Sequence, residues 1–389
     1  MRDVIIVGAG CVGNYMARLL AEQGRDVLVL EKDRRIGDSV NCSGIIGSEA
    51  FEKLDIPKDA TQSQLREIKV FGPSGCSFMY QPSEPWAEIL DRVKFDQQMA
   101  KMAEKSGCEF LLESWMNSVE IDDEGVSLTV RCQGGLKKFR AKVCVMALGF
   151  GAKFIQEAGL GKIENYIQGV QATARIKDVE NVEIYLGNNV APGSFGWVVP
   201  IDEGLCKIGL LATKKGGGHL RQLIEGPFLS PRVQFWDGVY KASLIPLGVL
   251  PKTSTKRLLV VGEAAGQVKT TTAGGIYYGF LCAKIASETI DQAFREGDFS
   301  EEVMEVYDKR WRALLGPELR AGMALRNIFL KMSDKQIDAL VNFAKYDGII
   351  PMVNNVFQFD WHAPLISDII KKYLSSSASK KISVFASLD

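Results

Sequence analysis

Histidine is almost missing: His219 and His362 are the only two in 389 residues, and they stand far apart. A histidine-rich metal centre is therefore excluded, and a histidine triad is a poor basis for catalysis here. The eight cysteines include no C-x-x-C pair, so no zinc ribbon or dithiol motif is encoded. They read as reduced thiols of a cytosolic protein, and no metal is expected. No apolar run approaches the ~20 residues that span a bilayer. The chain enters an apolar strand at once, with no signal-peptide pattern. Neither sign of charge dominates, since 47 Lys and Arg balance 47 Asp and Glu. Bulk electrostatics thus give no support to nucleic-acid binding.

What is present begins at Asp3. Val4-Ile5-Ile6-Val7 is an apolar, mostly β-branched run, the composition of a buried parallel strand. Gly8, Gly10 and Gly13 follow in G-x-G-x-x-G spacing. Gly8 permits a tight turn, Gly10 lets a pyrophosphate approach the backbone, and Gly13 lets a helix pack closely on the sheet. Val12, Met16, Leu19 and Leu20 then recur at helical spacing. The free N–H groups at Cys11 and Val12 and the helix dipole suit phosphates. Val27-Leu28-Val29-Leu30 reads as the second strand and ends at Glu31, where an acid holds a ribose hydroxyl. A carboxylate there repels a 2′-phosphate, so the site suits FAD or NAD, not NADP. With strand, helix, strand and acid in order, the fingerprint is specific.

The loop that starts at Lys32 runs to residue 48 and lies near the bound dinucleotide. It holds Cys42 and Gly44. Residues 49 to 66 read as mostly helical. A hairpin is expected over 67–80 around Pro73-Ser74-Gly75. Arg92 opens an amphipathic helix with Phe95, Met99, Met102 and Ala103 on one face. From that position it can contact a cofactor phosphate or remain a solvated charge. Val143 to Gly149 is a buried strand with a glycine end. Residues 165–254 read as largely β, interrupted by a basic, glycine-rich stretch at 214–226 expected to be a mobile loop. Leu258 to Val261 is another buried strand, followed by Gly262 and Glu263, an acid placed to bind a ribityl hydroxyl. Gly274 and Gly275 precede a helix from Ile276, whose N-terminus can face the electron-rich edge of a flavin. From 298 onward the pattern is helical, with a Pro351 break, a turn at Trp361-His362-Ala363-Pro364, and a frayed serine-rich end.

Three separated pieces carry a resemblance: the opening fingerprint, DRVKFD at 91–96, and VVGEAAGQVKTTTAGGIYYG at 260–279. Together they resemble the p-hydroxybenzoate hydroxylase-like FAD superfamily. The third piece is similar to the geranylgeranyl reductase family, with Glu263 for its usual Asp, Thr270 for Pro and Ala273 for Gly. Asn41-Cys42-Ser43-Gly44 resembles that family's Cys-x-Gly segment. Pro192 to Pro200 resembles its P-x-x-Y-x-W-x-F-P motif, with Phe195 for Tyr and Val199 for Phe.

The resemblance implies an α/β fold. A Rossmann-type FAD-binding domain (1–66, 91–150, 255–297) is interleaved with a mostly antiparallel β-sheet substrate domain (67–90, 151–254), and a helical region follows (298–389). It implies FAD as cofactor and saturation of C=C bonds in the geranylgeranyl chains of archaeal-type membrane glycerol lipids. Phe195, Trp197, Val199 and Tyr277 would line the lipid pocket. Cys42 would be the proton donor or a flavin-face residue; an inert thiol is the other reading. Electrons would come from a ferredoxin or NAD(P)H. The implied location is cytoplasmic and peripheral at the membrane. Apolar Ile366, Ile369 and Ile370 near Lys371, Lys372 and Tyr373 suit that contact, and core packing explains them equally well. Three alternatives stay open: an aromatic hydroxylase on the same fold, a flavin electron carrier or prenyl-lipid binding protein, and a reductase of a quinone or pigment side chain.

Overall fold

The computed structural model describes residues 1–151, 153–346 and 358–368. Strand β1 (Arg2–Val7), helix α1 (Cys11–Glu22) and β2 (Val27–Leu30) form the opening βαβ unit. Next come β3 (Ile45–Gly47), α2 (Ser48–Lys53), β4 (Thr61–Leu65), the hairpin β5 (Ile68–Phe71) and β6 (Ser77–Tyr80), β7 (Ala87–Leu90) and α3 (Arg92–Lys105). Strands β8 (Glu109–Leu111), β9 (Trp115–Ile121), β10 (Val126–Cys132) and β11 (Gly135–Met146) lead to the short α4 (Lys153–Glu157). Then follow β12 (Tyr166–Ile176), β13 (Val182–Leu186), β14 (Phe195–Asp202), β15 (Leu205–Ala212), α5 (Gly216–Glu225), β16 (Val233–Phe235) and β17 (Lys241–Pro246). After these come β18 (Ser254–Thr255), β19 (Leu258–Val260), α6 (Ile276–Glu296), α7 (Glu301–Phe329) and α8 (Asp334–Tyr346).

The first sheet runs β18-β19-β11-β1-β2-β8, with β10 on β11 and β9 on β10. Its central strands are parallel: Val4 lies opposite Val27 on one side and Val143 on the other. Both faces are covered, which explains the unbroken apolar run of β1. Helices α1, α3, α6 and α7 bury one face with Met16, Leu20, Phe95, Met99, Phe280 and Trp311. The β9–β10–β11 meander covers the other with Met116, Leu128 and Val130.

The second sheet runs β16-β12-β15-β14-β13-β5-β6, with β17 also on β12. It is antiparallel except at β13–β5, where the early hairpin is recruited in parallel. A small third sheet, β3-β7-β4, bridges the other two. Ile45, Leu65, Ala87 and Ile89 from it pack with Val182, Trp197 and Val199 from the second sheet and with Phe359.

Two expectations need correction. Residues 49–66 are not one helix. Helix α2 ends at Lys53 because Leu54 is extended, and Thr61–Leu65 pairs with Ala87–Leu90 instead. The 214–226 stretch is not a loop: α5 forms there although it opens on three glycines. Leu220, Leu223 and Ile224 are buried under the second sheet, and that burial outweighs glycine's poor helix propensity. The Pro351 break, the serine-rich end and the expected membrane contacts Ile369, Ile370, Lys371, Lys372 and Tyr373 lie outside the described residues. Ile366 is described and buried. No described helix is long and apolar enough to cross a membrane.

Candidate active site

The glycine fingerprint is built by backbone fit. Gly8 has φ +107°, and a Cβ there would overlap the carbonyl oxygen of Ala147. A Cβ on Gly13 would overlap the carbonyl of Gly8 itself. At Gly10, by contrast, an added Cβ would meet nothing within 4 Å. The space above the start of α1 is therefore open, and no side chain caps that helix. Glu31 at the end of β2 is 9% exposed; its carboxylate accepts from the backbone N–H of Ala9 (2.7 Å) and of Asp33 (2.9 Å). Lys32 turns away to Asp33 and Ser39, both at 3.0 Å, and pins the following loop.

Three pieces distant in sequence converge on this opening. Asp91 caps α3 by accepting from Lys94 N at 3.0 Å, which sets Arg92 at the first helical position. The Arg92 guanidinium bonds Asp96 (3.0 Å) and approaches Cys11 Sγ (3.4 Å) at the first turn of α1. Burial pushes the Cys11 thiol up to about 12, so it stays neutral. From the third piece, Gly262 and Gly279 pack against Val12; a Cβ on them would come within 3.3 and 2.5 Å of its methyls. Burial raises the Glu263 carboxyl to about 7, with Arg92 opposing the shift. Gly149 carries φ +70° and an added Cβ there also meets open space. Gly275 begins α6 without a side-chain cap, so the N–H groups around Ile276 are free, behind Gly274.

The loop with Cys42 lies against the second sheet. Cys42 is half-buried, and its Sγ accepts from Gly44 N at 3.4 Å. Gly44 has φ +88° and a Cβ there would overlap the carbonyl of Leu90, so its lack of a side chain serves loop packing. Asn41 donates to Ser243 (3.1 Å), Lys241 to the carbonyl of Val40 (3.2 Å) and Lys207 to the carbonyl of Ser43 (3.1 Å). Register places Trp197 opposite Gly209, and Val199 opposite Lys207. Phe195 and Trp197 are partly buried with ring centroids 5.9 Å apart. Val199 is fully buried in the cluster between the sheets. Two buried polar atoms on this sheet, Trp197 Nε1 and Gln171 Oε1, have no hydrogen-bond partner and flank Gly209 in register.

Residues that sequence reasoning missed also converge here. Lys207 is one: burial lowers its pKa, Cys42 and Asp91 support its charge, and Arg92 opposes it. A single lysine within the apolar run of β15 was the available signal. The strap at 358–363 is another. Asp360 forms a buried ion pair with Lys269 at 2.7 Å, and its backbone carbonyl accepts from Tyr278 OH. Tyr277 is buried edge-on to Trp361, with centroids 6.2 Å apart. His362 Nδ1 lies 2.7 Å from Thr271 Oγ1, and burial holds its ring near pKa 4.

Comparison with known proteins fits this geometry. Residues 3–83 match the FAD dependent oxidoreductase family. A digeranylgeranylglycerophospholipid reductase of Methanosarcina acetivorans is 31% identical, covering 88% of each chain. One from Methanocella arvoryzae is 32% identical, covering 86% of this chain and 89% of its own. The chain belongs to the digeranylgeranylglycerophospholipid reductase family. A geranylgeranyl bacteriochlorophyll reductase-like protein of Thermoplasma acidophilum shares the fold at TM-score 0.85 and 23% identity, covering 98% of both chains. A flavin-dependent brominase shares it at TM-score 0.73 and 18% identity, covering 97% of this chain and all of its own. The family is one of FAD-dependent oxidoreductases. The donor set fits that cofactor: an open glycine cradle and an uncapped helix start beside the buried carboxylate that ends β2.

Proposed function

We propose that the protein saturates C=C bonds in the geranylgeranyl chains of membrane glycerol phospholipids. One observation carries this reading. Relatives named for that activity match over nearly nine-tenths of the chain, and the three flavin-type pieces meet at one cleft. The chemistry FAD brings when bound is hydride transfer from its reduced ring to one alkene carbon. The protein's own work is to hold the cofactor, orient the alkene, exclude water and supply a proton to the second carbon.

Gly10, Cys11, Val12 and Gly13 would take the pyrophosphate on backbone N–H groups, and Glu31 the ribose. Arg92 balances phosphate charge. Glu263 takes a ribityl hydroxyl. Gly149 leaves room, and the Gly274–Ile276 helix start faces the ring with its positive end. Phe195 and Trp197 form the wall for the prenyl chain. Val199 supports that wall from behind, and Tyr277 fixes Trp361 beside it. Cys42 is our proton donor, and Lys207 holds its loop through Ser43 and replenishes the proton from the sheet side.

The sequence holds one dinucleotide fingerprint, so reducing equivalents arrive from a transient donor, a ferredoxin or NAD(P)H. Stopped-flow reduction with each identifies it. The substrate resides in a bilayer, which the protein meets peripherally. The test is anaerobic: chemically reduced holoprotein is mixed with a digeranylgeranylglycerol phospholipid and lipid mass is followed. A gain of two hydrogens per double bond, in step with flavin reoxidation, is expected. An aromatic product hydroxylated only when oxygen is admitted would replace this reading with a hydroxylase.

A further inference from the structure

We propose that the edge of the second sheet formed by β16, the turn at 236–240 and β17 is the face that docks on an anionic lipid surface. Within ten residues this edge exposes Phe235 (62%), Val239 (65%), Tyr240 and Leu244. Single exposed apolar side chains are ordinary, but four along one sheet edge form a patch that calls for a partner.

The charge beside it has one sign. Between 213 and 246 the chain carries Lys214, Lys215, Arg221, Arg232 and Lys241 against only Glu225 and Asp237. Those carboxylates are engaged: Glu225 faces Arg221 at 3.6 Å, and Asp237 accepts from Val239 N at 2.9 Å. Arg232 is paired with Glu183. Lys214, Lys215 and Lys241 are exposed. Lys215, Tyr240, Ser243 and Leu244 share the lining of a surface cavity of about 450 Å³. Apolar and aromatic side chains ringed by lysines suit the boundary of an anionic leaflet, where the rings enter the headgroup layer and the ammonium groups meet phosphate.

The edge is continuous with the candidate site. Ser243 and Lys241 of β17 hold Asn41 and Val40, the residues that lead into Cys42. A lipid drawn from a surface at β17 thus starts next to the loop that must meet its double bond. The proposal rests on the lipid-substrate reading above, and its test separates the two.

Holoprotein is floated with vesicles of phosphatidylcholine alone and with about one-third phosphatidylglycerol. Binding is expected to the anionic vesicles only, weakened by salt. Each charge reversal in K214E/K215E should cost at least about fivefold in partitioning, and F235E/V239E should abolish it. Both variants should keep flavin content, and should reduce detergent-dispersed lipid at the wild-type rate while losing turnover of vesicle-embedded lipid. Wild type that ignores anionic vesicles, or variants that bind as wild type does, would overturn the proposal. So would a wild-type dimer, seen by ultracentrifugation, that both variants lose without any vesicle binding. If wild type floats but leaves detergent-dispersed lipid unreduced, the reductase reading fails and the docking face stands.

Discussion

The flavin-side cleft and the inner face of the second sheet border the same space but are made of different material. The cleft is built on close backbone fits: Gly13 on the carbonyl of Gly8, Gly8 on that of Ala147, and Gly262 and Gly279 against the methyls of Val12. The sheet face is side chains delivered by register, with Trp197 across from Gly209 and Lys207 across from Val199. A backbone fit has no slack, whereas a side chain on a paired strand can be replaced without moving the strand. Changes in the cleft should therefore cost structure or cofactor, and changes on the sheet face should cost reaction alone.

The largest effect should come from Gly13→Ala. Its methyl has no room, and the expected result is loss of soluble, flavin-loaded protein. Gly10→Ala sharpens the point, because its methyl meets no protein atom. The flavin-free protein should keep its melting temperature while FAD affinity falls roughly ten- to a hundredfold, in line with overpacking costs of about 1–3 kcal/mol. Equal loss of fold in both variants would break the distinction. Titration of flavin into refolded protein, with calorimetry alongside, decides it.

Next is the strap that ties the two regions together. Asp360→Asn leaves the Lys269 ammonium buried without a counter-charge and should cost about 3–5 kcal/mol in denaturant unfolding. The same strap should loosen in acid. His362 is depressed to about 4 from an ordinary value near 6.5. Its contribution is thus present above pH 6.5 and is lost as pH falls through 4. A change in Trp361 fluorescence confined to that window, and absent in His362→Phe, is the expected signature.

The smallest effect concerns Glu263, raised to about 7 by burial. A raised carboxyl favours the folded state fully below about pH 4.5, and that stability is lost as pH rises through 7. Glu263→Gln should therefore stabilise the flavin-free protein at pH 8 by roughly 1–2 kcal/mol, less than the full linkage value because water still reaches the group. It should also weaken FAD binding. An unchanged unfolding midpoint at pH 8 would mean the carboxyl is solvated in the flavin-free protein.

The same contrast governs what was legible in the sequence. Local motifs read well. The β1–α1–β2 unit, the helix from Arg92 and the helix from Ile276 follow from spacing that fixes nearby backbone. The convergence of Arg92, Cys11 and Glu263 was not visible in spacing, though the resemblance of their three segments anticipated it. Register was invisible. Lys207 sits among apolar neighbours, and only its pairing with Val199 sends it toward the Cys42 loop. Asp360 and Lys269 are 91 residues apart, with nothing local to join them. Helix α5 was misread because its glycines argue against a helix, and the burial of Leu220 and Ile224 that overrules them is tertiary.

The division of labour is tested most directly by one single-turnover experiment across pH. Reduced, flavin-loaded wild type, Cys42→Ala and Lys207→Met are mixed anaerobically with the geranylgeranyl lipid, and flavin reoxidation is timed. Wild type should reoxidise in step with lipid saturation and slow at high pH as the Lys207 ammonium is lost, below lysine's usual range. Both variants should hold their FAD and remain reduced far longer, by about a hundredfold if proton delivery is what they lack. Lys207→Met should shift the alkaline limb. Reoxidation of both variants at the wild-type rate, with an unaltered pH profile, would contradict the account: the sheet face would then be packing alone.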